Sequence, residues 1–294
     1  MHSPLPLSFS LSPPPLQPTS VSQRCRYKVR RAPQGRVHEA NGRRGVELST
    51  QNLFTVKDKI ALVTGGGSGI GKMIAAAFVA NGARVYIAAR KEGQLRAAAE
   101  ELNTAGPGTC EHIVADLSNK AGCQALISTF KSREQKLHIL VNNSGVAWGA
   151  PYDDFPEKEG WDRVLAVNVK SIFYMTQGLT DYLAKDATSF DPGRVINISS
   201  TASLDPHAED TSLANKGNGL WSYNTSKAAA NHLTSLLAVT LCPQHITVNA
   251  ILPGVFPSKM TAFGFRRTGE DKMAAAQPSG ESLPLHSFIH IKSH

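Results

Sequence analysis

Cysteine is scarce: the 294-residue chain has four, Cys25, Cys110, Cys123 and Cys242, scattered and without a C-x-x-C pair. That spacing excludes a disulfide framework and a thiolate metal site, and reads as reduced thiols of an intracellular protein. Apolar runs of membrane-spanning length are missing too, so a membrane is not an expected partner. Hydrophobic residues make up 41% and charged residues 18%, an ordinary balance for a water-soluble α/β domain. The net charge of +8 could suggest a nucleic-acid partner, but it is unevenly spread. Residues 1–50 hold eight Arg and Lys against Glu39 and Glu47, a surplus of +6, which leaves +2 for the other 244. In the basic stretch 24–44 the only aromatic is Tyr27. No aromatic residues interleave with the charge, and nucleic acid is not expected.

Residues 1–50 are rich in Pro and Ser, then in Arg, with no helical or strand period, and read as an unstructured extension. They lack the apolar core of a secretory signal. Their acid-poor composition suits an organelle transit peptide, although Pro13-Pro14-Pro15 oppose an amphipathic helix at the start. The expected location is the cytoplasm, with mitochondrial targeting by this extension as the alternative. From Val56 the pattern becomes strand, helix, strand. Strands are predicted over Lys59–Thr64, Arg84–Ala89, Cys110–Ala115, Ile139–Val141, Arg194–Ser199 and Thr247–Ile251. Helices are predicted over Gly69–Asn81, Lys91–Thr104, from Ser118 to about Glu134, within Trp161–Leu183, and over Ser222–Leu241. Strands this apolar read as buried on both faces, and the alternation implies a Rossmann-like, doubly wound parallel α/β sheet in one domain, residues 56–273.

The organising stretch is Ile60 to Gly71, an apolar strand that breaks into Thr64-Gly65-Gly66-Gly67-Ser68-Gly69-Ile70-Gly71 and resumes as a helix. Glycine lets such a loop adopt positive φ and bring backbone N–H groups up to a diphosphate, with the helix dipole behind them. A glycine-rich loop alone is weak evidence; a strand before it, a helix after it and a second strand at Arg84 strengthen it. After that second strand comes Ala88-Ala89-Arg90-Lys91. No acid is present there to hold ribose hydroxyls, and Arg90 offers a planar fork suited to a 2′-phosphate. NADP(H) is therefore expected over NAD(H), unless Arg90 and Lys91 are merely the polar start of a helix. Asp116-Leu117 follows the third strand at the edge where ligands bind, though Asp116 or Ser118 also suits a helix N-cap.

Tyr223-Asn224-Thr225-Ser226-Lys227 places a phenol and an ammonium four residues apart, on one helix face. An unperturbed tyrosine is a poor base at neutral pH, and a nearby ammonium favours its phenolate. Such a Tyr can move an alcohol proton while a hydride is transferred. Together with T-G-x-x-x-G-x-G, Asn142-Asn143-Ser144-Gly145 and Ser199-Ser200, this pair resembles the short-chain dehydrogenase/reductase (SDR) superfamily. The resemblance covers roughly Val56 to Met273. It implies Tyr223 as general acid/base, Lys227 lowering its pKa and holding the nicotinamide ribose, Ser200 polarising the substrate carbonyl and Asn168 supporting a proton relay. Each has a plainer reading: either serine can cap a loop, and a buried Asn can be a structural hydrogen-bonder.

The resemblance further implies cofactor contacts from Thr64, Gly65, Gly67, Ser68, Gly69, Ile70, Gly71, Arg90, Lys91, Asp116, Leu117, Asn143, Gly145, Tyr223 and Lys227. Pro253, Gly254 and Val255 complete the set, their backbone meeting the nicotinamide carboxamide. No metal is implied. Pro253 to Thr261 is similar to a subgroup that includes rhamnolipid-pathway 3-oxoacyl-carrier-protein reductases.

Two features depart from the pattern. Tyr223 lies 23 positions after Ser200, farther than is usual, and the polar insert Pro206–Gly219 reads as an extended loop at the rim of the substrate pocket. Thr261–Lys272 reads as the start of a substrate-covering segment, but residues 274–294 read as an irregular tail without the final helix and strand. The family's last strand is therefore expected to be missing. The expected activity is interconversion of a carbonyl and a secondary alcohol, with a 3-oxoacyl thioester as one substrate. Assembly with copies of itself is expected if the fold is complete. The alternative is a truncated, non-catalytic dinucleotide-binding or interaction protein.

Overall fold

The computed structural model describes residues 54–209, 211, 214, 216–256, 261, 262, 266 and 269. The extension 1–50, the tail 274–294, most of Thr261–Lys272 and any final strand lie outside the described residues.

Six strands, β1 (Ile60–Thr64), β2 (Arg84–Ala89), β3 (Thr109–Val114), β4 (Ile139–Asn142), β5 (Gly193–Ile198) and β6 (Ile246–Ile251), form one parallel sheet in the order β3-β2-β1-β4-β5-β6. The doubly wound arrangement is as expected. Burial on both faces holds for β1, β2 and β4, whose residues are almost all enclosed. In β3 and β6, at the two edges of the described sheet, buried and exposed residues alternate.

Helices α1 (Gly69–Ala80), α2 (Glu92–Leu102), α3 (Lys120–Arg133), α4 (Ser171–Ala184) and α5 (Trp221–Leu241) connect the strands. They close two apolar cores. One gathers Leu62, Phe130, Leu140, Met175 and Leu179; the other gathers Val63, Val79, Val85, Leu95 and Val141. Gly82 ends α1 at φ +84 and donates its N–H to the Val79 carbonyl at 3.0 Å, as a left-handed C-terminal residue should.

The predicted cap of α3 needs correction. Asn119 caps it, accepting from the Gly122 N–H at 2.9 Å, while the Asp116 carboxylate accepts from the Ser118 N–H at 3.0 Å in a turn just upstream. The single long helix predicted within Trp161–Leu183 is also broken up. Glu157–Asp162 and Ala166–Lys170 are π-helical turns separated by Arg163–Leu165, and regular α-helix begins only at Ser171. Such widened turns are frequent at functional sites, and Asn168 lies in the second one.

Candidate active site

The carboxyl ends of the strands open onto one cleft of about 880 Å³. In this sheet order β1 and β4 are neighbours whose connections run to opposite sides, and a crevice forms where such connections diverge.

At one end is the glycine-rich turn. Gly65 takes φ +67 and donates its N–H to the Ala88 carbonyl at 2.6 Å, folding the loop back over β2. Asn143 holds it from behind, its amide donating to the Thr64 carbonyl at 2.9 Å and the Gly65 carbonyl at 3.3 Å. The Thr64 hydroxyl accepts from the N–H groups of Asn143 and Ser144, each at 3.0 Å. The loops after β1 and β4 are thus one hydrogen-bonded unit. Ser68 precedes α1 in extended conformation without capping it through its side chain, so the first-turn N–H groups are left for an anion. A methyl group on Gly71 would lie 2.5 Å from the Gly65 carbonyl oxygen, so this cradle accepts only glycine there. Arg90 and Lys91 are exposed on the rim beside it, with no ion pair among the described residues.

At the other end β5 and α5 bring three polar side chains together. The Lys227 ammonium is 5% exposed and donates to the Ile198 carbonyl at 2.8 Å. Burial lowers its pKa to about 8. Its nitrogen sits 5.7 Å from the centre of the Tyr223 ring. Ser200 accepts from the Ala202 N–H at 3.1 Å and lines the cleft together with Tyr223, whose ionised form its hydroxyl favours. Burial raises the Tyr223 pKa, and the Ser200 hydrogen bond opposes it without cancelling it. The expected lowering of the tyrosine by Lys227 is therefore not what this arrangement produces: the ammonium is committed to a main-chain carbonyl, and desolvation of the phenolate dominates. At neutral pH the phenol keeps its proton.

Of the residues predicted for the site, all but Thr64, Gly71 and Asn168 line the cleft. Those three lie behind its wall. Thr64 and Gly71 shape the cradle as described. Asn168 is 1% exposed, and its whole amide is used: the oxygen accepts from the Val146 N–H, and the nitrogen donates to the Val146 carbonyl and the Ser226 hydroxyl, each at 2.9 Å. Ser226 in turn donates to the Tyr223 carbonyl at 2.7 Å. The side chain of Asn168 thus realises the structural reading, fastening the loop after β4 to the first turns of α5.

Sequence reasoning missed a buried tie below the site, in which Asn142 donates to Asn197 across β4 and β5 and Asn197 donates to Thr234 on α5, each at 2.9 Å. Asn142 was legible within its motif, but its partners had no local signal. Sequence reasoning also missed part of the cleft wall, Leu204, Asp205, His207, Leu220 and Asn224. The long gap before Tyr223 announced a rim loop, and His207 and Thr211 from that stretch line the cleft. Gly219 bridges to Ala150 and Glu209, and the Leu220 N–H donates to the Ala208 carbonyl at 2.8 Å. Which of its side chains would face the cleft had no periodic signature.

Comparison with known proteins agrees with this geometry. A family model described as short chain dehydrogenase matches residues 59–267. The rhamnolipids biosynthesis 3-oxoacyl-[acyl-carrier-protein] reductase of Pseudomonas aeruginosa is 39% identical over 232 residues, covering 79% of this chain and 84% of that protein. An NAD-dependent glycerol dehydrogenase of Listeria innocua is 32% identical over 231 residues, covering 77% and 82%. Among solved structures, a Pseudomonas aeruginosa RhlG/NADP active-site complex superposes with a TM-score of 0.71 at 36% identity, covering 80% of this chain and 88% of that one.

Proposed function

Because this chain belongs to the short-chain dehydrogenase family, we propose that it is an NADP(H)-dependent oxidoreductase that reduces a carbonyl to a secondary alcohol with Tyr223 as general acid. The observation that carries the reading is one cleft with a glycine cradle at one end and Tyr223, Ser200 and Lys227 at the other. The cradle fits a dinucleotide: its turn admits no side chain at Gly71, and the N-terminus of α1 is free of a capping side chain. Gly65, Gly67, Ser68, Gly69 and Ile70 would hold the diphosphate, Asp116 and Leu117 the adenine, and Asn143 and Gly145 the adjoining ribose. Arg90 and Lys91 would take the 2′-phosphate, and the backbone of Pro253 to Val255 the carboxamide. The relative complexed with NADP supports the cofactor assignment. When bound, the nicotinamide supplies the hydride.

The protein's own residues handle the proton. Ser200 donates a hydrogen bond to the substrate carbonyl oxygen and steadies the charge that develops there. Tyr223 Oη gives its proton to that oxygen. A phenol held protonated by burial suits this direction. Ser200 favours the phenolate left behind, and Lys227 holds the nicotinamide ribose. Asn168 supports proton resupply by fixing the turn that carries Tyr223. The relative's substrate supports a 3-oxoacyl thioester as one substrate class. Self-association belongs to the reading, supported by Phe173 on α4 and Leu236 and Val239 on α5, which are exposed. So does a cytoplasmic location, supported by the unpaired thiols of Cys110 and Cys123. No described helix is long and apolar enough to cross a membrane.

The test is NADPH titration by intrinsic fluorescence with NADH in parallel, then turnover of ketones by wild type and Tyr223→Phe. The expected result is NADPH-selective binding by both proteins and a loss of turnover of at least about a hundredfold in the variant. A folded protein that binds neither cofactor would overturn the reading.

A further inference from the structure

The loop after β4 runs between the two ends of the cleft, and the packing of two glycines fixes where Ser144 stands. Gly65 of the cradle lies against it: a methyl group on Gly65 would come within 3.2 Å of the Ser144 Cα and 3.3 Å of its nitrogen. Gly145, the next residue, faces the other end: a methyl group there would lie 3.6 Å from the Lys227 ammonium nitrogen. Ser144 therefore sits at a seam. It abuts the turn that fits a diphosphate, and its neighbour in the chain abuts the lysine.

The backbone at this seam is pinned from both sides. The Ser144 N–H donates to the Thr64 hydroxyl at 3.0 Å. Asn143 before it is tied to the Thr64 and Gly65 carbonyls, and Val146 after it to the Asn168 amide. The Ser144 side chain takes no part in this. Among the described residues its hydroxyl has no hydrogen-bond partner, and it is not one of the unpaired atoms enclosed by protein. Ser144 is half-buried and lines the cleft, so the hydroxyl is open to it. A hydroxyl both donates and accepts, and one that meets an anion donates. Such a bond is roughly twice as strong as one between neutral groups. The cradle approaches an anion from the turn after β1 and the first turn of α1. Ser144 approaches the same place from the loop after β4.

We propose that Ser144 is a further cofactor-binding residue, its hydroxyl donating to the NADP(H) diphosphate at the phosphate nearer the nicotinamide. The inference rests on the oxidoreductase reading and deepens it. The phosphate follows from the contact with Gly65, and its nicotinamide side from the approach of Gly145 to Lys227. Since the hydroxyl bonds nothing within the protein, it serves the ligand and not the fold. Its net contribution is the difference between the new bond and the water it gives up.

Ser144→Ala removes one oxygen and no internal bond, so the unliganded full-length wild type and variant should melt at the same temperature. Calorimetric titration then uses three ligands that grow along the dinucleotide. Adenosine 2′,5′-bisphosphate ends at the first phosphate of the bridge, adenosine 2′-phosphate 5′-diphosphate adds the second, and NADPH completes it. The variant is expected to bind the first as wild type does, and the other two about tenfold more weakly. An NADPH affinity within about twofold of wild type overturns the inference and leaves the oxidoreductase reading standing. A loss already present with the bisphosphate does the same, as does one that appears only with NADPH, since neither places the bond on the second phosphate. If folded wild type binds no NADPH, both fail together.

Discussion

Lys227 should weaken the fold at neutral pH, and by an amount that can be measured. Its ammonium is almost wholly enclosed, and burial brings its pKa from the ordinary 10.5 down to about 8. The folded protein therefore binds this proton less tightly than the unfolded chain does. Between pH 8 and 10.5 the unfolded state carries the extra proton, so stability rises with pH across that window. At 1.36 kcal/mol for each tenfold change in acidity, the full effect is about 3 kcal/mol. Lys227→Met removes the titrating group and retains most of the side-chain volume. Urea unfolding of both proteins at pH 7, 8, 9 and 10 should show wild type gaining on the variant above pH 8. The gain should approach 2 kcal/mol by pH 10, the part of the window then crossed. The variant should have lost turnover at every pH. In wild type, kcat/KM should fall above pH 8 as the ammonium is lost. A stability difference that stays flat from pH 7 to 10 would refute the assignment of a desolvated, charged lysine.

Three further outcomes are expected. Arg90→Ser should weaken NADPH binding by about tenfold or more while changing NADH binding little, read by parallel fluorescence titrations, since only the former has a 2′-phosphate to lose a partner for. Gly71→Ala should cost about 1–3 kcal/mol in urea unfolding and sharply weaken NADPH binding, because the added methyl meets the Gly65 carbonyl, which cannot move aside without opening the cradle. His138 accepts the Ile60 N–H at 2.9 Å through Nδ1, and burial, with help from Lys59, lowers its pKa to about 4. Only the neutral ring can accept, so the contribution of this bond should be present above pH 6.5 and lost as pH falls toward 4. His138→Leu should lack that part of the acid dependence of Tm.

The fold was legible because its signals are local. The apolar runs of β1, β2 and β4 cannot sit anywhere but inside a parallel sheet, and the turn from Thr64 to Gly71 requires glycine for reasons visible in its own few residues. The site was legible where spacing encodes geometry, as between Tyr223 and Lys227 on one helix. It was not legible where a role depends on what tertiary structure brings alongside. Asn168 reads as an isolated polar residue in an apolar helix, and only the folded chain shows its amide spent on Val146 and Ser226. The acidity of Tyr223 was misjudged for the same reason. Sequence adjacency suggests a lysine acting on a phenol, whereas the structure turns that lysine to the Ile198 carbonyl and surrounds the phenol with protein. The widened turns before α4 are a third case, since apart from Gly160 residues 157–170 have ordinary helical composition.

Among the described residues between Ser200 and Tyr223, main-chain bonds pair Gly219 with Ala150 and Leu220 with Ala208. Bonds of that kind are indifferent to which side chains the stretch carries. Its residues can therefore drift, or be exchanged wholesale for those of another reductase, while Ser200 keeps its place just after β5 and Tyr223 its place on α5. Loop grafting between these two anchors, with the Ala150 pairing retained, is thus a route to new substrates that leaves the proton chemistry where it is.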